Sequence, residues 1–353
     1  VPSIDTANNL RSFLFPQLND TVDVLFLNGD IFDAMVSINS IDSIIILELF
    51  TDLLFLCDKH NIKIRILRGT YSHDHKQLEF ISKLKLKLNL SVDYKMYDTL
   101  SVEYIKEFDK NILYLPDNLP FGTKYDMFDH ISKLFQVINI DKVDFIMMHG
   151  ELTHMIFGHV SKNSFDVSEL NRFCKGWIFS GHIHKPLKYK NSISIGSFNR
   201  LAHNEEESKG FWLFDQKPIF IKNEEATIFK TINLSHIDDI QKIILKYQEE
   251  VDILDKDKKS FIRVLIKDSH LKQTLNKFSL EYYPHVVLTF KNNITKTTEE
   301  DDFLNKKLFH DKHEYLEAPS LENIASIVFN DLQSKGLFID IEEIKQIINV
   351  DIF

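Results

Sequence analysis

The chain has 353 residues, 44% hydrophobic and 27% charged, with a formal net charge of −10. That length suits two or three domains with a sizeable core, and the acidic balance excludes a chain coated in a basic nucleic-acid face. No apolar run reaches the roughly 18–20 residues a membrane helix needs, no signal peptide is visible, and Cys57 and Cys174 sit in apolar contexts, so a reduced, cytoplasmic, membrane-free protein is expected.

Residues 8–18 carry helical apolar spacing. Residues 22–28, "VDVLFLN", form a short apolar run ending in Gly-Asp, which predicts a buried strand and a loop. The spacing predicts a helix over 41–60, a strand over 62–67 ("IKIRIL") followed by a glycine loop, and a helix over 76–88. Strands are predicted at 92–97, 101–105 and 111–115, then a helix over 126–138. "VDFIMMH" (143–149) and "GWIFSGH" (176–182) read as two further buried strands ending at histidine, and "SISIGS", "FWLF" and "PIFI" follow at hairpin-like spacing. The texture changes near Ser235. There an amphipathic helix, a charged linker and a strand, helix and strand make a small α+β unit, followed by a polar stretch and two amphipathic helices at 321–333 and 341–348.

Four segments carry the chemistry, each following a predicted strand: "NGDIFD" (28–33), "RGTYSHD" (68–74), "MMHGE" (147–151) and "SGHIHKP" (180–186). In layered α/β folds ligands collect at the carboxyl ends of strands. Two neighbouring divalent cations need a shared carboxylate with imidazole and oxygen donors around it. Asp30 can bridge, and His149, His182 and His184 can supply nitrogen.

In order and type these segments resemble the calcineurin-like metallophosphoesterase superfamily. Its Gly-Asp-x-x-Asp is matched by Gly29-Asp30-Ile31-Phe32-Asp33, its Gly-His-x-His by Gly181-His182-Ile183-His184, and its lone histidine by His149. Where the family has Gly-Asn-His-Asp, this chain has Gly69-Thr70-Tyr71-Ser72-His73-Asp74. The resemblance assigns Ser72 to the amide ligand's position, His73 to the acid that protonates the leaving oxygen, and Asp74 to orienting the His73 ring. The family's first motif, Asp-x-His, has no counterpart, and the expectation is that it precedes Val1. Residues 195–214, with Gly196, Ser197, Arg200, Glu205 and Lys209-Gly210-Phe211, are similar to a segment of the SbcD-type DNA repair nucleases, which makes Arg200 a candidate substrate contact.

The resemblance implies a metallophosphoesterase β-sandwich flanked by helices over residues 1–233, an α+β capping domain over 234–298, and C-terminal helices over 299–353 that dock on an SMC-like, SbcC-type ATPase. It implies DNA as substrate, two divalent cations (Mn²⁺ first, Mg²⁺ second), and a homodimer for which residues 41–60 are the candidate surface. Two rival expectations stand beside it: a phosphatase or small-molecule phosphodiesterase of the same superfamily, and a catalytically impaired structural subunit.

Overall fold

The computed structural model describes residues 3–37, 40–117, 124–155 and 164–291. The chain is mixed α/β. A helical lead begins with α1 (Ser3–Asn9) and continues through a wider π-helical stretch (Leu10–Leu14) and a tighter 3-10 turn to Gln17. The first sheet is β1 (Val24–Asn28), β2 (Lys63–Leu67) and β3 (Tyr94–Tyr97), all parallel and in that order. Parallel neighbours need crossovers. Here they are α2 (Ile41–Lys59), then the single turn α3 (Tyr71–Asp74) with α4 (Glu79–Lys87). Ser40 caps α2 by accepting from the Ser43 N–H, and Asn61, at φ 54, turns the chain out of it into β2.

The second sheet holds β4 (Ser101–Ile105), β5 (Lys110–Leu115), β6 (Val143–His149), β7 (Cys174–Gly181), β8 (Leu187–Tyr189) and β9 (Ser192–Ser194), in the order β4-β5-β6-β7-β9-β8. Strands β5, β6, β7 and β9 run parallel, with antiparallel β4 and β8 at the edges. Helix α5 (Lys124–Ile138) crosses from β5 to β6, and the short α6 (Val167–Leu170) precedes β7.

Alternation along the strands sets the layers. Ile112, Tyr114, Phe145, Met147 and Phe179 face an inner core that also takes Leu67, Val24 and Phe26 from the first sheet. Leu113, Leu115, Ile146, Met148 and Ile178 face the other way, onto α5 residues such as Phe128 and Ile131. On the far side of the first sheet, Leu25, Leu27, Ile64 and Ile66 pack on α2 and α4. The two sheets therefore lie face to face with helices outside, and strands buried on both faces read as continuous apolar runs. Helix α2 also meets the N-terminal lead, where Arg11 Nε donates to Asp52 Oδ2 at 2.9 Å.

A hairpin of β10 (Gly210–Asp215) and β11 (Lys217–Lys222) follows, pinned by Phe214 against Phe145 at 5.0 Å between ring centres. The last described unit is β12 (Ile228–Asn233), α7 (Ile240–Val251), β13 (Ser260–Leu265), α8 (Ser269–Tyr282) and β14 (Val286–Lys291). Its strands are all parallel in sequence order, with helices as crossovers and Asp239 and Asp268 as N-caps. One correction follows. This unit is a βαβαβ arrangement and not α+β, because α7 and α8 return the chain to the same end of the sheet. Its first strand starts at Ile228. The C-terminal helices expected within 299–353 lie outside the described residues, and among the described residues no helix is long and apolar enough to cross a membrane.

His203 joins the two parts. Its ring stands edge-on to Phe229 of β12, 5.0 Å between centres, and both ring nitrogens are buried without a partner. Burial, then the positive Arg263 nearby, pushes the imidazole down to about 4. The folded value lies below the unfolded 6.5, so the contribution is full above 6.5 and is lost as pH falls through 4. A His203→Phe variant should lose less stability than the parent between those limits, measured as denaturation midpoints across pH.

Candidate metal centre

Strands β1, β6 and β7 deliver their carboxyl ends, at Asn28, His149 and Gly181, to one edge where the two sheets meet. The loop after β1 turns through Asp30 at φ 48, and the loop after β7 turns through His182 at φ 85. Left-handed backbone at a bulky residue costs on the order of 1–3 kcal/mol and persists only where the surroundings enforce it. Close approach enforces it here. A Cβ on Gly69 would stand 2.1 Å from the Asp30 nitrogen, and one on Gly181 would stand 2.1 Å from the Asn28 carbonyl oxygen. Gly181→Ala should therefore cost about 1–3 kcal/mol of stability by forcing backbone apart and should disperse the site; a thermal melt and a metal titration check both.

Asp30, His149 and His182 bring one ligand atom each to within 4.8 Å of one another. His149 Nε2 is 3.0 Å from Asp30 Oδ2, and its Nδ1 lies 2.7 Å from the Asn28 carbonyl oxygen. A carbonyl only accepts, so Nδ1 carries the proton and Nε2 faces Asp30. Asp30 Oδ1 accepts the Thr70 N–H at 2.7 Å. Burial works to raise the Asp30 carboxyl, but the His149 hydrogen bond and charge and the Thr70 N–H outweigh it and hold it near 2. For His149 burial works downward, and Asp30 overrides it to raise the imidazole. His182 stands at right angles to His149, 5.4 Å between ring centres, with its Nδ1 buried and unpartnered and its Nε2 3.8 Å from Glu151 Oε1. One ionised carboxylate and two imidazoles, one of them with an orphaned buried nitrogen, form a donor set that fits a divalent cation.

The other expected residues fall out differently. Asp74 is fully buried, and it does not orient His73. Its oxygens accept backbone N–H groups of Asp30 (3.0 Å), Gly69 (2.7 Å), Ile31 (2.9 Å) and Phe32 (3.4 Å). That carboxylate staples the β1 loop to the β2 loop. Burial, more than any other influence, raises its pKa. His73 sits half-buried on α3, close enough for its charge to act on Asp30. Ser72 is exposed on the same turn. The hydroxyl at the cluster is that of Thr70, 3.3 Å from Asp30 Oδ2 and 3.5 Å from His149 Nε2. His184 lies beyond the three-residue group, its Nδ1 2.6 Å from Glu205 Oε1. Arg200 turns inward: Nε donates to the Glu207 carbonyl at 3.1 Å and Nη1 to the Thr227 carbonyl at 2.9 Å. The first bond closes the 195–209 segment on itself, and the second ties it to Thr227, the residue before β12.

Thr70, Glu151 and Glu205 are site neighbours that the sequence reading passed over as ligands or partners. For Thr70 a signal existed: it directly follows the glycine that ends the strand loop. No known family model matches this chain, and no curated protein matches it.

Proposed function

We propose that this chain is a metal-dependent phosphodiesterase acting on DNA, the nuclease subunit of an SbcC/SbcD-like repair complex. The observation that carries the reading is the convergence of Asp30, His149 and His182 at the carboxyl ends of three strands, in the order the superfamily resemblance requires. The same resemblance supplies the finer parts of the proposal: two Mn²⁺ or Mg²⁺ ions, a homodimer, and an ATPase partner engaged by the C-terminal segment.

In this reading Asp30 would be the anionic ligand, His149 and His182 would hold one ion, and His184 would help to hold the other. A divalent cation bound there would supply Lewis-acid stabilisation of the charge that builds on the phosphoryl oxygens as water replaces the sugar oxygen in line on phosphorus. Thr70 keeps Asp30 oriented through its N–H, and the Asn28 carbonyl keeps the His149 tautomer. His73 holds the proton that passes from its ring to the departing sugar oxygen. Asp74 holds the loop that carries His73 at a fixed distance from Asp30, through the four backbone bonds it accepts.

The test sets labelled single- and double-stranded oligonucleotides beside a phosphomonoester, all with Mn²⁺. DNA cleavage that falls about 10²- to 10⁴-fold in His73→Ala, the range of general acid catalysis, with Mn²⁺ affinity unchanged, supports the reading. Hydrolysis of the monoester with DNA left intact overturns it in favour of a phosphatase.

A further inference from the structure

Lys209 is completely buried, and the Asp30 group makes no use of it. A buried ammonium costs several kcal/mol unless it is paired and hydrogen-bonded. Its Nζ donates to the His184 carbonyl at 2.9 Å and to Glu207 Oε1 at 2.8 Å, and stands 3.1 Å from Glu205 Oε2. Glu205 Oε2 also accepts the Leu201 N–H at 3.2 Å, so that carboxylate is held from two sides. Its other oxygen, Oε1, lies 2.6 Å from His184 Nδ1.

A carboxylate ionised at neutral pH can only accept, so Nδ1 of His184 carries the proton and the lone pair resides on Nε2. The His184 backbone is caught by the same residues. Its carbonyl accepts from Lys209 and from the Ser197 N–H at 3.0 Å, and a Cβ on Gly196 would come within 3.1 Å of that oxygen. The segment around Gly196–Lys209 is in turn clamped by Arg200 to Thr227, the residue before β12. Ring and main chain of one histidine are thus fixed by one lysine–carboxylate unit. It reproduces at His184 what the Asn28 carbonyl does at His149, with a charged acceptor in place of a neutral one.

We propose that Glu205, anchored by the buried Lys209, is the positioning residue that sets the His184 tautomer and leaves Nε2 as the nitrogen that binds a divalent cation. The inference rests on the metal-site reading above and deepens it. Outer carboxylates of this kind fix ring orientation and raise ligand basicity, and losing one costs about 10- to 100-fold in metal affinity.

The experiment uses the full chain with ¹⁵N-labelled histidine. Long-range ¹H–¹⁵N spectra of the metal-free protein read the His184 tautomer, and a Mn²⁺ titration reads affinity. Neutral His184 is expected wholly as the Nδ1–H tautomer in the parent, mixed in Glu205→Ala, and restored in Glu205→Gln, whose amide oxygen still accepts. The Mn²⁺ ion lost in His184→Ala should bind about 10- to 100-fold more weakly in Glu205→Ala and recover in part in Glu205→Gln. An Nε2–H tautomer in the parent overturns the proposal without any variant having to fold. So does a parent in which no Mn²⁺ ion depends on His184, or a Glu205→Ala protein with parental tautomer and affinity. A protein that passes these measurements and yet leaves DNA intact loses the nuclease reading alone.

Discussion

Asp30→Asn should abolish Mn²⁺ binding at the Asp30–His149–His182 group and, with it, DNA cleavage. The substitution keeps the shape: an amide oxygen can still accept the Thr70 N–H that Oδ1 accepts at 2.7 Å. The charge is what it removes. Asp30 is held near 2, so it is ionised at neutral pH and is the one anionic donor in the group. A divalent cation facing two neutral imidazoles and an amide has lost its main Coulombic partner in a half-buried setting where screening is weak. The affinity loss should exceed the about 10- to 100-fold typical of losing an outer partner. Calorimetric Mn²⁺ titration measures it, and an unchanged circular dichroism melt establishes that the fold survives.

The second large effect lies between the sheets. Arg65 on β2 and Glu103 on β4 pair in a fork, Nε to Oε2 at 2.8 Å and Nη2 to Oε1 at 2.9 Å, with both side chains nearly sealed from water. Lys95 Nζ reaches Glu103 Oε1 at 2.7 Å, Tyr114 donates to Oε2 at 3.0 Å, and Arg65 also holds Asp93 Oδ2 at 2.9 Å. Removing one member of a buried pair leaves an uncompensated charge and costs about 3–5 kcal/mol. Glu103→Ala should therefore lower the melting temperature by about 10 °C in a domain of this size. The acid behaviour has a definite sign. Burial works to raise Glu103, and the Arg65 and Lys95 hydrogen bonds overcome it and hold the carboxyl near 2. The folded value is below the unfolded 4.5, so the stabilisation is present above 4.5 and drains away as pH falls through 2. It amounts to on the order of 3 kcal/mol. A Glu103→Gln protein should be less stable at neutral pH and should show a flatter stability curve over that window.

Much of this was legible from apolar runs that stop at a functional residue. β1, β6 and β7 announce themselves because each carries an unbroken apolar run, Val24–Leu27, Phe145–Met148 and Trp177–Phe179, packed on both faces and followed by polar or glycine residues at the carboxyl end. That is why Asp30, His149 and His182 could be grouped before any fold was known. Ser72 lies exposed for a local reason. Counting back from His73-Asp74 puts a serine where an amide is expected, yet the chain spends Tyr71 and Ser72 on an extra helical turn, and the hydroxyl at the cluster is that of Thr70. Arg200 and Asp74 show a different limit. A charged residue in a loop reads the same whether it faces a phosphate or a backbone, and here the guanidinium found carbonyls and the carboxylate found four N–H groups. Strand direction is likewise silent in a periodicity of two, which is why the parallel β12-β13-β14 sheet was expected as α+β.

The most direct measurement is cleavage of an end-labelled DNA duplex by the purified full chain across a Mn²⁺ titration, with Asp30→Asn alongside. No cleavage is expected in chelator, saturable cleavage as Mn²⁺ is added, and none from Asp30→Asn at any concentration. Intact DNA at saturating Mn²⁺, or cleavage that persists in Asp30→Asn, would contradict the metal-dependent nuclease reading.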